Sequence, residues 1–123
     1  MMLKAYFKKY TLKFKMPGGT SRGVLHDKDA WFIIVYEEGK PDKIGIGECS
    51  IIRKLSIDDR PDFEAKLKEV IKDINKHVYW LKKGLVAFPA IRFGLETAMT
   101  DLFAEKSRLL FPSEFTSGAK GIP

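Results

Sequence analysis

The sequence predicts an α+β fold, a three-stranded antiparallel meander followed by two or three helices, on three observations. Apolar residues recur with the period of a strand in the first half of the chain. From residue 58 they recur with the period of a helix. Strands that all precede the helices predict helices packed on one side of a small sheet, within one domain for a chain of 123 residues.

The first strand is read from Tyr10, Leu12, Phe14 and Met16, which alternate with Lys9, Thr11, Lys13 and Lys15 and so place the apolar side chains on one face. "AWFIIVYEE" is apolar at both parities, Trp31, Ile33 and Val35 against Phe32, Ile34 and Tyr36, as a central strand covered on both sides requires. "GKPD" supplies a turn around Pro41. In "KIGIGECSI", Gly45 and Gly47 leave one face of the third strand bare, so another backbone must approach it closely.

Phe63, Leu67, Val70, Ile71, Ile74 and Val78 form a helical stripe, with Asp58 and Asp59 as N-terminal signals, Pro61 in the first turn and Lys82, Lys83 and Gly84 at the end. This predicts one long amphipathic helix. A second helix opens at Pro89 and buries Ile91, Leu95, Ala98, Met99, Leu102 and Phe103. Beyond Lys106 come a short apolar patch, "RLLFPSEF", and the polar end "TSGAKGIP".

The net charge of +6 admits an anionic partner, although the lysines are scattered along strand and helix faces as solvated charge is. The single cysteine, Cys49, excludes an intramolecular disulfide, and no window approaches the roughly 20 apolar residues of a membrane span, so a cytoplasmic protein without a membrane partner is expected. His26 and His77 lack a second ligand at metal-binding spacing, and Cys49 reads as a buried thiol. Glu96 and Asp101 fall on different helix faces, so either is free to pair with Arg92 or with a partner surface. The chain therefore carries no self-contained catalytic or metal site.

One segment is over-equipped for a turn. "KMPGGTSRGVL", residues 15–25, sets Gly18, Gly19, Thr20, Ser21, Arg22 and Gly23 between two strands, but lacks the Gly-Lys-Ser/Thr ending of a phosphate loop. A second, "SIIRKLSI", follows the third strand and carries Ile51, Ile52 and Arg53.

These two segments, the basic first strand and "AIRFGLETAMTDL", in that order, resemble the N-terminal capping domain of the enolase superfamily, in its muconate-lactonizing subgroup, and most closely the o-succinylbenzoate synthases. The resemblance covers essentially the whole chain. It implies a parent enzyme in which residues 1–115 form the cap and 116–123 begin a linker to a (β/α) barrel that this sequence does not contain. The barrel would carry the Mg²⁺-binding carboxylates and the acid/base lysines, which stabilise and form an enediolate in the dehydration of a cyclohexadiene dicarboxylate during menaquinone biosynthesis. The chain alone would bind no metal and turn nothing over.

In that reading residues 18–23 are a flap. Gly18, Gly19 and Gly23 give hinge freedom, while Thr20, Ser21 and Arg22 offer two hydroxyls and a forked cation to a carboxylated substrate. Ile51, Ile52 and Arg53 form a second wall. The cap would expose an apolar surface toward its barrel, drawn from the second helix and the bare face at Gly45 and Gly47, and alone could self-associate. A dipeptide epimerase or a muconate cycloisomerase would keep the cap and change its loops. From a different class, a free-standing module binding anions or nucleic acid would also explain the charge, although no RNA-binding aromatic and arginine pattern is present.

Overall fold

The computed structural model describes residues 2–20, 23–51 and 56–104, with backbone alone at 12, 14–20 and 23–27. Expectations for the apolar patch beyond Lys106 and for the linker lie outside the described residues. Three strands, β1 (Leu3–Thr20), β2 (Gly23–Glu37) and β3 (Lys40–Ser50), form an antiparallel sheet in the order β1-β2-β3. They are followed by α1 (Phe63–Lys72), a 3₁₀ turn (Ile74–Lys76), one helical turn α2 (His77–Tyr79), a π turn (Trp80–Gly84) and α3 (Pro89–Leu102). No described helix is long and apolar enough to cross a membrane.

The central strand is the one apolar at both parities. Trp31, Ile33 and Val35 of β2 join the core beneath the helices, and Ala30 and Ile34 are buried on the opposite face. Along β1 the helix side is taken by Leu3, Ala5 and Phe7, all of odd parity. Tyr10 therefore lies on the other face and is exposed, contrary to the expected half-buried stripe. The reason is register: Lys9 pairs with Trp31 and so takes the helix side at that rung, with its ammonium 5.2 Å from the indole centroid.

The β2–β3 turn is tighter than "GKPD" suggests. Gly39 turns the chain in the left-handed region at φ 87°, where a side chain would be strained, and Lys40, Pro41 and Asp42 already belong to β3. The ladder slips between Tyr36↔Ile44 and Glu37↔Lys40, which is where Pro41 has no N–H to offer on an edge strand.

The predicted long helix is broken. Its stripe is buried at Phe63, Leu67, Val70 and Ile74, but Val78 is exposed. Tertiary hydrogen bonds override the helical pattern at the break. Asn75 accepts from the Leu3 N–H and donates to the Leu3 carbonyl, which ties the 3₁₀ turn to the start of β1. The Trp80 indole N–H donates to the Asp73 carbonyl. Pro61 precedes α1 rather than entering it, and Asp58 serves another helix altogether.

The second helix forms as predicted, except that Phe103 is exposed. α3 packs chiefly on β3 and occupies the bare face of Gly45 and Gly47. A Cβ on Gly45 would meet the Leu102 N at 2.6 Å, and one on Gly47 the Ala98 N at 2.8 Å. This meets the requirement for a close backbone and overturns the expectation that the glycine face is left open. Asp101 is also not a surface partner of Arg92: it is buried, and its carboxylate accepts the Ile46 N–H at 2.9 Å. Arg92 instead donates from Nε to the Leu81 carbonyl.

Candidate functional site

In an antiparallel meander the β1–β2 connection and the exit of β3 lie at the same end of the sheet, and both segments singled out in the sequence are there. β3 leaves the ladder at the Ala30↔Ser50 pair, while β1 and β2 run on together to Thr20↔Gly23. Residues Gly23–Asp29 of β2 are therefore paired on one side only. At about 3.3 Å per residue this two-stranded ribbon overhangs β3 by roughly 23 Å.

Gly19 pairs with Val24 and Thr20 with Gly23, so the glycine-rich stretch is built as ladder up to its tip. An irregular loop was the expectation; the pairing replaces it because Gly18, Gly19 and Thr20 find partners in Leu25, Val24 and Gly23. Ser21 and Arg22 lie outside the described residues. Between Lys13↔Asp27 and Gly18↔Leu25 the register shifts, so residues 14–17 of β1 face only His26 of β2.

The base of the ribbon is bolted to the domain. The Thr11 hydroxyl donates to the buried Asp29 carboxylate at 2.8 Å. Two rungs on, the Trp31 ring sits 4.7 Å from Phe63, between α1 and the sheet.

The second segment is held at both ends. Ile51 is 4% exposed and belongs to the core, and Asp58, 1% exposed, accepts the Ala90 N–H at 2.7 Å at the start of α3. Ile52 and Arg53 lie outside the described residues. Of the eight residues predicted to line the site, Gly19, Thr20 and Gly23 lie at the ribbon tip, whereas Ile51 is buried where β3 ends, roughly 23 Å back along the ribbon, so the described part does not bring them together.

Sequence reasoning missed two groups at this end. The Trp31 indole N–H and the Ser50 hydroxyl are buried without a hydrogen-bond partner among the described residues, on the rungs where β3 departs. A tryptophan in an apolar strand reads as core, and nothing in the sequence marks its donor as unpaired. An unpaired buried donor costs on the order of 1–3 kcal/mol.

Cys49, on the Trp31 rung, is fully buried, and burial pushes its thiol up to about 12, with the negative charges of Asp58 and Glu48 adding to the effect. A thiol so raised is neutral and unreactive at neutral pH. Cys49 in the native chain is expected to resist a disulfide reagent at pH 8 and to react on unfolding; rapid native labelling would show that this end of the core opens. The neutral thiol favours the fold fully below the unfolded-state pKa near 9, and that contribution is lost as pH rises from there toward 12. Among the described residues no group of three His, Cys, Asp or Glu converges to hold a metal.

No family model matches the chain. The chain is 30% identical to o-succinylbenzoate synthase from Desulfotalea psychrophila (strain LSv54) over 151 aligned positions, covering 95% of this chain and 39% of that protein. The crystal structure of MenC from Desulfotalea psychrophila LSv54 superposes with a TM-score of 0.69 at 24% identity, over 98% of this chain and 40% of that one. The chain thus spans about two-fifths of the length of the relative it matches, with three antiparallel strands and then helices in the same arrangement. By sequence and fold it is an o-succinylbenzoate synthase-like N-terminal domain of the enolase superfamily.

Proposed function

We propose that the chain is the substrate-capping part of a cytoplasmic, Mg²⁺-dependent lyase of the o-succinylbenzoate synthase kind, acting on a carboxylated ring in menaquinone biosynthesis. The observation that carries this reading is the 30% identity across 95% of the chain to a synthase of which it spans only 39%. The remainder of such a parent is a barrel that follows residues 116–123 and holds the metal. In this reading the cap's part is binding and enclosure.

The overhanging ribbon supports that part. A paired arm bolted at Asp29 and Trp31 carries Gly19, Thr20 and Gly23 away from the core; Ser21 and Arg22 complete the flap in this reading. Ile51 is buried in the core where the second segment begins, and Asp58 is bonded to Ala90 where it ends; the wall assigned to Ile51, Ile52 and Arg53 is part of the proposal. Arg22 pairs with a substrate carboxylate, for which a guanidinium offers two parallel donors.

The test is to read the coding sequence beyond Pro123 for strands bearing a Lys-x-Lys pair and three spaced carboxylates, then assay the whole enzyme. Arg22→Ala is expected to lower kcat/KM about ten-fold or more, near 1.4 kcal/mol of transition-state binding. Unchanged kinetics would remove Arg22 from the site. A reading frame without those barrel residues would sink the lyase.

A further inference from the structure

A second site candidate lies on the helical layer. The π turn Trp80–Gly84 and the first turns of α3 enclose a cleft of about 260 Å³. Its apolar wall comes from Leu85, Val86 and Pro89, and its charged side chains are Lys82, Lys83 and Arg92, with no carboxylate among the lining residues. These three cations make no ion pair among the described residues, whereas Lys40, Arg60, Lys66 and Lys68 each pair with a neighbouring carboxylate.

Lys82, Lys83 and Arg92 are all exposed, but local geometry holds the arginine. A π turn is a rare departure from helical hydrogen bonding and recurs at functional sites. Here the Leu81 carbonyl accepts the Arg92 Nε–H at 3.0 Å. That bond fixes the guanidinium plane and leaves its two terminal nitrogens without a partner among the described residues. Gly84 closes the turn against Trp80, which is itself locked by its bond to Asp73; a Cβ at Gly84 would come within 2.8 Å of the Tyr79 ring.

An oriented guanidinium and two lysines beside an apolar wall suit a ligand with an anionic group at one end and a hydrocarbon body at the other. We propose that this cleft binds a compact organic anion, a carboxylate or phosphate carried on an apolar ring, with Arg92 as the orienting donor. The site is independent of the ribbon tip, and its failure would leave the capping role untouched.

Phenyl phosphate titrated into the isotope-labelled 123-residue chain at low ionic strength is the direct probe, with inorganic phosphate and benzyl alcohol as half-ligands. Saturable amide shifts centred on Leu81 and Arg92 are expected. Affinity should exceed that of either half-ligand by about ten-fold, as a charge-assisted bidentate contact joined to apolar burial predicts. Arg92→Gln should cost about the same factor with native spectra elsewhere, and the Lys82→Gln, Lys83→Gln double variant should weaken binding without abolishing it. Lys72→Gln, on the exposed face of α1, should bind as the parent chain does. Equal affinity for inorganic phosphate, shifts spread over all lysine-bearing faces, no saturation, or indifference to Arg92→Gln would each overturn the site.

Discussion

Gly47→Ala is expected to unfold the chain or to lower its stability by about 3 kcal/mol or more, at the upper end of what overpacking costs. The added methyl would run into the Gly94 carbonyl and the Ala98 N of α3, and neither is a side chain that can rotate away. Relief requires α3 to move off β3. That movement would also open the Gly45 contact and expose Leu95, Ala98 and Leu102, which are buried at that interface. Urea denaturation monitored by tryptophan fluorescence reads the loss. A variant within about 0.5 kcal/mol of the parent, the range of an ordinary surface substitution, would mean that helix and strand are farther apart than described.

Asp101→Ala is expected to be the next most damaging change, at about 2–4 kcal/mol. Its carboxylate is buried and accepts the Ile46 N–H, a donor on an edge strand between the two glycines over which α3 lies. Removal deletes a charge-assisted bond and leaves that N–H without its acceptor beneath the helix. Asp101→Asn keeps an acceptor oxygen and should lose less than the alanine variant. Thermal unfolding of the two variants side by side decides the matter, and equal, small losses would show that water reaches Ile46.

The residues that announced themselves in the sequence did so through local physics. Gly45 and Gly47 sit where a strand should carry core side chains, and a missing side chain on a buried face implies a close neighbour; α3 supplies it. "AWFIIVYEE" is apolar at both parities and is the central strand, with Trp31, Ile33 and Val35 under the helices and Ala30 and Ile34 buried on the other face, where Phe32 and Tyr36 are only half-buried. What remained illegible depends on residues far apart in the chain. Asp58 reads as the cap of the helix that follows it but bonds Ala90, 32 residues on. Asn75 looks like ordinary helix surface until its 72-residue return to Leu3 is seen. Asp101 looks like half of a surface ion pair until the β3 backbone is brought beneath it.

The candidate site divides in the same way. Its composition, glycines with hydroxyls and one arginine, was visible. The paired construction that carries it outward was not, because glycine-rich sequence reads as loop and only the register of β1 on β2 makes it a ladder. The unpaired Trp31 donor had no signal at all, since it follows from what the surrounding core fails to provide.

Because Gly23–Asp29 of β2 pair with β1 alone, the reach of the tip is set separately from the packing of the domain. Lengthening both strands by two residues would advance the tip by about 7 Å and return the same faces to the same sides. Shortening them equally would withdraw it, with neither change felt at Leu67, Ile91 or Leu95 in the core. A single-residue change in one strand behaves differently, since it turns the tip's inner side outward. The register shift at 14–17 is where an odd residue can be absorbed. The arm is in this sense an adjustable boom on a fixed mount, whose reach follows ribbon length while the α3–β3 seam stays constant.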